Sequence, residues 1–252
     1  MKKLVASTAA ASLLALASQG ALAQLTMTMG VDYSEGDYGS SDTTKQWTIP
    51  LIAKYETGLW TFRVTVPWVR VEGTANRDVG AALPLIEPET QDGLGDIVAY
   101  GGYTLLDSRT APVGMDLGAR IKFATADSDK FLITTGENDY SIQADFYKAI
   151  DKLTPFFTLG WTSKGDPDGI DFKNPWYFSL GASYKVTDVT SMGAAYDYRS
   201  KLLDGLDPIS EMTLFATHKL TKEWKLQGYG VIGFSDSSPD WGLGATVGYT
   251  FQ

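Results

Sequence analysis

The last stretch, Trp241-Gly242-Leu243-Gly244-Ala245-Thr246-Val247-Gly248-Tyr249-Thr250-Phe251, decides the fold. Trp241, Leu243, Ala245, Val247, Tyr249 and Phe251 share one face at period two. Gly242, Gly244, Thr246, Gly248 and Thr250 share the other. Strict alternation is the pattern of a strand with two unlike faces, and glycine this frequent is unfavourable inside a helix. Upstream, Trp176, Phe178, Leu180, Ala182, Tyr184 and Val186 repeat the apolar face, opposed by Tyr177, Ser179, Gly181, Ser183, Lys185 and Thr187.

Working outward, the chain divides into twelve such runs, at about 25–34, 45–56, 60–72, 94–106, 113–125, 138–149, 153–164, 175–187, 190–200, 210–220, 223–235 and 241–251. No helical segment separates them, which excludes parallel βαβ units and leaves an antiparallel meander. The connections alternate in length. Glu56 to Leu59, Asp107 to Pro112, Ile150 to Lys152, Thr187 to Val189 and Leu220 to Lys222 are short, whereas the intervening connections are mostly longer and rich in Asp, Ser, Gly and Pro. Short turns at one end and longer loops at the other predict an all-β, transmembrane antiparallel up-and-down barrel of about twelve strands, with both termini at the short-turn, periplasmic end.

Residues 1–23 read as an address. Lys2 and Lys3 precede an apolar stretch, and Ala21-Leu22-Ala23 supplies a cleavage pattern before Gln24, as in a secretory signal peptide. The barrel is then residues 24–252. No later stretch is apolar for long enough to be a membrane-spanning helix. The 252 residues include no cysteine and one histidine and carry a net charge of −9. That excludes a disulfide framework and a thiolate metal site, leaves little for zinc or Ser-His-Asp chemistry, and argues against nucleic acid as a partner.

Alternation alone does not say which face is outside, because a soluble sandwich alternates too. The tryptophans decide. Trp47, Trp60, Trp68, Trp161, Trp176, Trp224 and Trp241 all take the apolar parity and lie near strand ends, as a membrane girdle requires. Between Trp60 and Trp68, a rise of about 3.3 Å per residue at about 45° tilt gives roughly 19 Å, close to the height of an apolar barrel belt. Tyr55, Tyr103, Tyr184, Tyr249 and Phe251 are expected in the periplasmic girdle. Asp32, Lys54, Arg63, Asp96, Asp116, Arg120, Lys122, Asp145, Asp197, Arg199, Lys219 and Lys225 take the inward parity, with Tyr100, Tyr147, Tyr177 and Tyr229. Charges of both signs in an interior are costly unless hydrated or paired, so these residues are expected to line a hydrated, partly ion-paired lumen.

Several stretches carry a family likeness. They are VTVPWVRVEG at 64–73, GLGDIVAYGGYTLL at 93–106, RIKFATADSDKF at 120–131, TGENDYSIQADF at 135–146, LTPFFTLGWTSKGDP at 153–167 and YFSLGASYKVTDVTSMGAAYDYRS at 177–200. In order and spacing this series resembles the outer-membrane proteins grouped as putative transporters of the MetA pathway of phenol degradation. Gly93-Leu94-Gly95-Asp96 and Gly136 to Tyr140 are the most specific pieces. Ala124-Thr125 stands where that family often has Pro-Thr, and the chain ends Phe251-Gln252 rather than on the aromatic itself. The resemblance implies an outer-membrane barrel with a transport role and names no substrate.

Other chemistry is weighed against that frame. His218 falls on the lipid parity near the periplasmic end, without a neighbouring nucleophile, and reads as an interfacial residue. Asp145, Asp197 and Glu211 offer carboxylates for an outer-membrane hydrolase, or an electrostatic lining. The acidic loops Asp166 to Gly169 and Asp236 to Asp240 lack a full calcium-ligand spacing and read as solvated loops. Pro50 and Pro67 conflict with ladder pairing. They predict either a local ladder break near the outer rim, with a lateral opening for an apolar solute, or prolines tolerated at strand ends. The long third loop, 73–93, holds an apolar stretch at 79–86 that is expected to fold into the mouth or pack across the rim; if it constricts the pore, deleting 78–88 raises conductance.

The expectation is a monomeric outer-membrane channel in contact with lipid, without cofactor, metal or catalytic residues. It would pass small solutes, including small aromatic or apolar compounds, through a narrow polar lumen. An outer-membrane hydrolase and an adhesion or structural barrel with a blocked lumen are the alternatives.

Overall fold

The computed structural model describes residues 23–40, 42–76 and 89–251. The leader, apart from Ala23, and the apolar stretch of the third loop with its expected constriction lie outside these residues. The strands are β1 (Gln24–Gly36), β2 (Thr44–Thr57), β3 (Trp60–Gly73), β4 (Glu89–Leu94), β5 (Val98–Leu106), β6 (Gly114–Lys122), β7 (Asp139–Tyr147), β8 (Leu153–Ser163), β9 (Trp176–Lys185), β10 (Thr190–Arg199), β11 (Ile209–Lys219), β12 (Trp224–Gly233) and β13 (Trp241–Phe251). Each pairs antiparallel with its neighbours in one sheet, and β1 pairs with β13 from Leu25↔Phe251 to Glu35↔Trp241, which closes the ring. Closure removes the sheet edges, so the ladder's N–H and C=O groups find partners within the wall.

Thirteen strands make twelve staves. β4 pairs the long-loop half of β3, with Val69 opposite Gly93, and β5 pairs its short-turn half, with Thr65 opposite Val98. The two registers differ by one residue, so Gly95 to Ile97 form a bulge that flips side-chain parity within the stave. Gln91 and Gly93 therefore share the inner face with Val98 and Tyr100, although their numbers differ in parity. The stave expected at 94–106 begins at Glu89, and the one expected at 113–125 ends at Lys122, because the chain beyond it turns into the barrel.

The turns follow local chemistry. Gly58, at φ 57°, supplies the left-handed residue that the two-residue β2–β3 turn needs. In the β5–β6 turn the Arg109 Nε donates to Asp107 Oδ1 at 3.0 Å, and this hydrogen bond leads in holding the Asp107 carboxyl down to about 2.

The sides are inverted relative to a soluble protein. Leu51, Ile142, Leu159, Leu180, Leu214 and Leu243 stand outward and exposed at mid-barrel. Aromatic clusters bound this apolar belt. At the short-turn end Trp60 packs on Tyr103 with ring centroids 4.8 Å apart, and Trp224 on Tyr249 at 4.9 Å. At the long-loop end Tyr33 contacts Trp47 at 4.7 Å and Trp241 at 5.4 Å, while Trp176 packs on Tyr198 at 5.0 Å. All seven tryptophans face outward; Trp68 alone of them is half-buried. A continuous exposed belt of this size would be an aggregation surface in water and is the natural outer wall in hydrocarbon.

The prolines correct the sequence reading. Pro50 and Pro67 do not sit at strand ends or at the rim. They lie mid-stave, because β2 and β3 continue well past them toward the long-loop end. They oppose each other within an unbroken β2–β3 register. In a pair that exchanges no hydrogen bonds, each backbone N–H would point to the outer neighbour. Pro50 thus withholds a donor from β1, and Pro67 from the β4–β5 stave. The interruptions fall there. The β1–β2 ladder skips from Met29↔Leu51 to Asp32↔Thr48, and Pro67 O accepts from Gly95 N at 2.8 Å in the bulge where β4 gives way to β5. The β2–β3 seam itself has no opening.

Candidate functional site

The barrel interior holds the chemistry-bearing side chains, and strand register sorts them. Lys54 faces Arg63, Arg63 faces Tyr100, and Tyr100 faces Arg120, so β2, β3, β5 and β6 carry one cationic row. Asp116 faces Asp145, Asp145 faces Thr158, Thr158 faces Ser179, Ser179 faces Asp197, and Asp197 faces Glu211. That acid and hydroxyl row crosses β6 to β11. Both rows climb toward the long-loop end with the strand tilt. The rows meet at β6, which carries both Arg120 and Asp116, and Lys122, Lys164 and Arg199 are buried on the acid row's side, so charges of both signs share the interior.

All the sequence-predicted lining residues keep their inward parity. Arg120 is buried and donates from Nη2 to Gln143 Oε1 at 2.9 Å and to Tyr177 OH at 3.3 Å. Asp145 accepts from Thr158 at 2.6 Å and from Gln143 at 2.8 and 2.9 Å. Tyr147 donates to Asp116 at 3.4 Å, and Tyr229 to Asp32 at 2.9 Å. Asp197, Arg199 and Glu211 are buried beneath the long loops, and among the described residues both Glu211 carboxylate oxygens lack a hydrogen-bond donor. Lys219 is the outlier: it stands exposed at the short-turn mouth.

The lumen tyrosines lie flat rather than projecting inward. Tyr177 opposes Gly160, and a Cβ on that glycine would lie 2.2 Å from the ring. Tyr229 opposes Gly244 with the same 2.2 Å clearance. Glycine opposite each ring thus makes room for it to line the wall. Gly244→Ala should drive the Tyr229 ring into the lumen and break its bond to Asp32. The overpacking costs about 1–3 kcal/mol. Urea unfolding of Gly244→Ala in lipid should show that loss, and Gly244→Ala/Tyr229→Ala should recover most of it; an unchanged midpoint for the single variant would contradict the packing.

A loop the sequence reading did not single out packs inside the long-loop mouth. Leu132 and Ile133, from the β6–β7 connection, pack on the inward Val69 and Val71 of β3. Asp96, at the stave bulge, holds that connection in place. Its Oδ1 accepts from the backbone N–H of Thr125 and Ala126, both at 3.1 Å. Its Oδ2 accepts from Thr134 Oγ1 at 2.7 Å and Lys122 Nζ at 2.9 Å. Lys122 also lies 3.5 Å from Asp139, which pairs with Lys164 at 3.0 Å. Over this, Phe172 and Leu202 join the next two loops. The sequence signal was present, in the apolar Phe131-Leu132-Ile133 within an otherwise polar connection. Asp139, Gln143 and Lys164 were also passed over, although 139, 141 and 143 share one parity.

His218 stands outward near the short-turn end, its Nδ1 2.8 Å from Thr190 Oγ1. Asp145 and Asp197 are three strands apart, about 14 Å at the usual strand spacing. That is too far for two carboxylates to share one bond-breaking event. Among the described residues, no group of three or more His, Cys, Asp or Glu side chains is arranged to hold a metal ion.

No family model and no curated protein matches the chain. Solved structures do. An outer membrane channel from Pseudomonas putida F1 superposes with a TM-score of 0.70 at 17% identity, over 93% of this chain and 97% of that one. The KdgM porin superposes with a TM-score of 0.60 at 10% identity, over 90% of this chain and 99% of that one. The fold is that of the outer-membrane channel barrels. The fold expected from the strand pattern is thereby established.

Proposed function

We propose that this barrel is a monomeric outer-membrane channel that passes small solutes passively through a narrow polar lumen. The observation that carries the reading is an interior lined by charged rows of both signs inside a closed ring whose outer belt is apolar. A structural barrel needs no such rows. Twelve staves leave a passage narrower than a sixteen-stranded porin, so a particular solute class fits better than general sieving. The flat tyrosines offer aromatic surface along that passage, which suits small aromatic or apolar compounds. The ordered motifs from Val64 to Ser200 support kinship with the MetA-pathway transporters. The barrels it resembles are named a channel and a porin.

Reconstitution into planar bilayers tests this. The expected result is discrete potassium chloride conductance steps, small beside those of wide porins, with liposome entry of small aromatic solutes faster than of sugars. Neither steps nor entry would return the barrel to a structural role. Ester or peptide turnover lost in Asp145→Asn or Asp197→Asn would make it a hydrolase.

A further inference from the structure

Arg63 and Arg120 stand on either side of Tyr100, each directly opposite it in register. Their backbones are two strand spacings apart, about 10 Å. Two arginine side chains rooted at that distance can converge on one small anion. The Arg63 guanidinium carbon lies 4.9 Å above the centre of the Tyr100 ring. Among the described residues Arg63 has no hydrogen bond and no ion pair. Arg120 serves Gln143 and Tyr177 from Nη2, while its Nε is buried without an acceptor. The nearest carboxylate of the acidic row, Asp145, spends its oxygens on Thr158 and Gln143. Guanidinium donors left unmatched in an enclosed interior are costly, and a planar carboxylate is the partner that fits their fork.

The ring between them is held as a platform. A Cβ at Gly118 would lie 2.5 Å from the Tyr100 hydroxyl, and one at Gly102 2.7 Å from it. Glycine at both places lets the ring lie along the wall with a face toward the lumen. Toward the exit the positive path continues. Lys54, the next residue of the same row, is paired with Glu56 at 2.6 Å, and the cations beyond it are Lys219 and Lys225. At the short-turn mouth Lys219 and Lys225 oppose each other directly, with no ion pair among the described residues. Like charges placed opposite each other repel, and an anion between them relieves the repulsion.

We propose that Arg63, Tyr100 and Arg120 form a receptor for a small aromatic carboxylate, with Lys219 and Lys225 as its release point at the short-turn mouth. The receptor names the solute class of the channel read above and rests on that reading. The guanidiniums take the carboxylate, and the Arg63 guanidinium, which covers the Tyr100 face in the empty barrel, swings to the carboxylate and leaves that face to the solute ring.

Isothermal titration of the detergent-solubilised barrel with sodium benzoate, cyclohexanecarboxylate and benzyl alcohol tests it without any variant. Benzoate should bind more tightly than the other two, by about tenfold or more over neutral benzyl alcohol. Arg63→Gln and Arg120→Gln, checked for the heat-shifted gel migration of a folded barrel, should each weaken benzoate by about tenfold, with Arg63→Lys between. Equal affinity for benzoate and benzyl alcohol, or for benzoate and cyclohexanecarboxylate, overturns the receptor, as does unchanged binding in both glutamine variants. Potassium chloride conductance is read on the same preparation. A conducting barrel that ignores benzoate loses the receptor and keeps the channel. One that binds benzoate but passes neither ions nor benzoate loses the channel.

Discussion

Asp96→Ala should open the long-loop mouth. The Asp96 carboxylate accepts two backbone N–H groups and the Thr134 hydroxyl and pairs with Lys122, so it joins the stave bulge, the wall and the β6–β7 connection at one point. The Lys122 and Asp96 side chains are only 4% and 8% exposed, so the pair is shielded from solvent screening. Removing one partner of a buried pair costs about 3 kcal/mol or more, which corresponds to a shift of about a hundredfold in the docking equilibrium of the connection. What remains for it is the small Leu132 and Ile133 cluster on Val69 and Val71, with the hydrogen bonds of Leu132 N to Gln91 Oε1 at 2.9 Å, Lys130 Nζ to Asp92 O at 2.6 Å and Lys122 Nζ to Thr135 Oγ1 at 3.2 Å. Single-channel conductance of Asp96→Ala should therefore rise by about twofold or more, with longer open times. Asp96→Asn, which keeps an acceptor and loses the charge, should fall between. Wild-type conductance in both variants would show that the connection does not limit the passage.

A second large effect is expected on the opposite face of the wall. Leu180 is outward at the middle of β9 and 56% exposed. If the belt meets hydrocarbon, Leu180→Arg should lower folding stability in lipid by about 2–4 kcal/mol, whereas Leu153→Arg, outward at the short-turn end of β8, should cost about 0–1 kcal/mol. The gradient carries the argument. Urea unfolding in liposomes measures both. A belt facing water would tolerate either arginine equally well, so equal and small losses would remove the membrane assignment and the channel with it.

Legibility in the sequence followed the range of the interaction. Period two is a one-residue property, so Trp241 to Phe251 could be read as a two-faced strand from the chain alone, and the same holds for the inward parity of Arg63, Arg120, Asp145 and Asp197. The outward parity of the tryptophans was legible for the same reason, but Trp68, expected near a strand end, lies mid-stave beside Pro67 because β3 runs on to Gly73. The prolines were legible only as a conflict. Their consequence depended on which flank each missing donor pointed to, and that is a matter of register between strands. The hold of Asp96 on the β6–β7 connection was not legible, since Asp96, Thr125 and Thr134 are far apart in the chain and meet only when the connection folds inward. Attention went to the apolar stretch at 79–86, and the connection that the structure shows packed inside is the one carrying Leu132.

The chain by itself determined that this protein is a ring of alternating ribbons with tryptophan outside and charge inside, because side-chain alternation and turn length are local and each run carries its own copy of the pattern. Only the tertiary structure decided that the charges line up in rows, that Arg63 and Arg120 flank one tyrosine, and that the β6–β7 connection is held by Asp96. Those relations are set by the stagger between neighbouring strands, a sum of offsets around a closed ring that no single run contains.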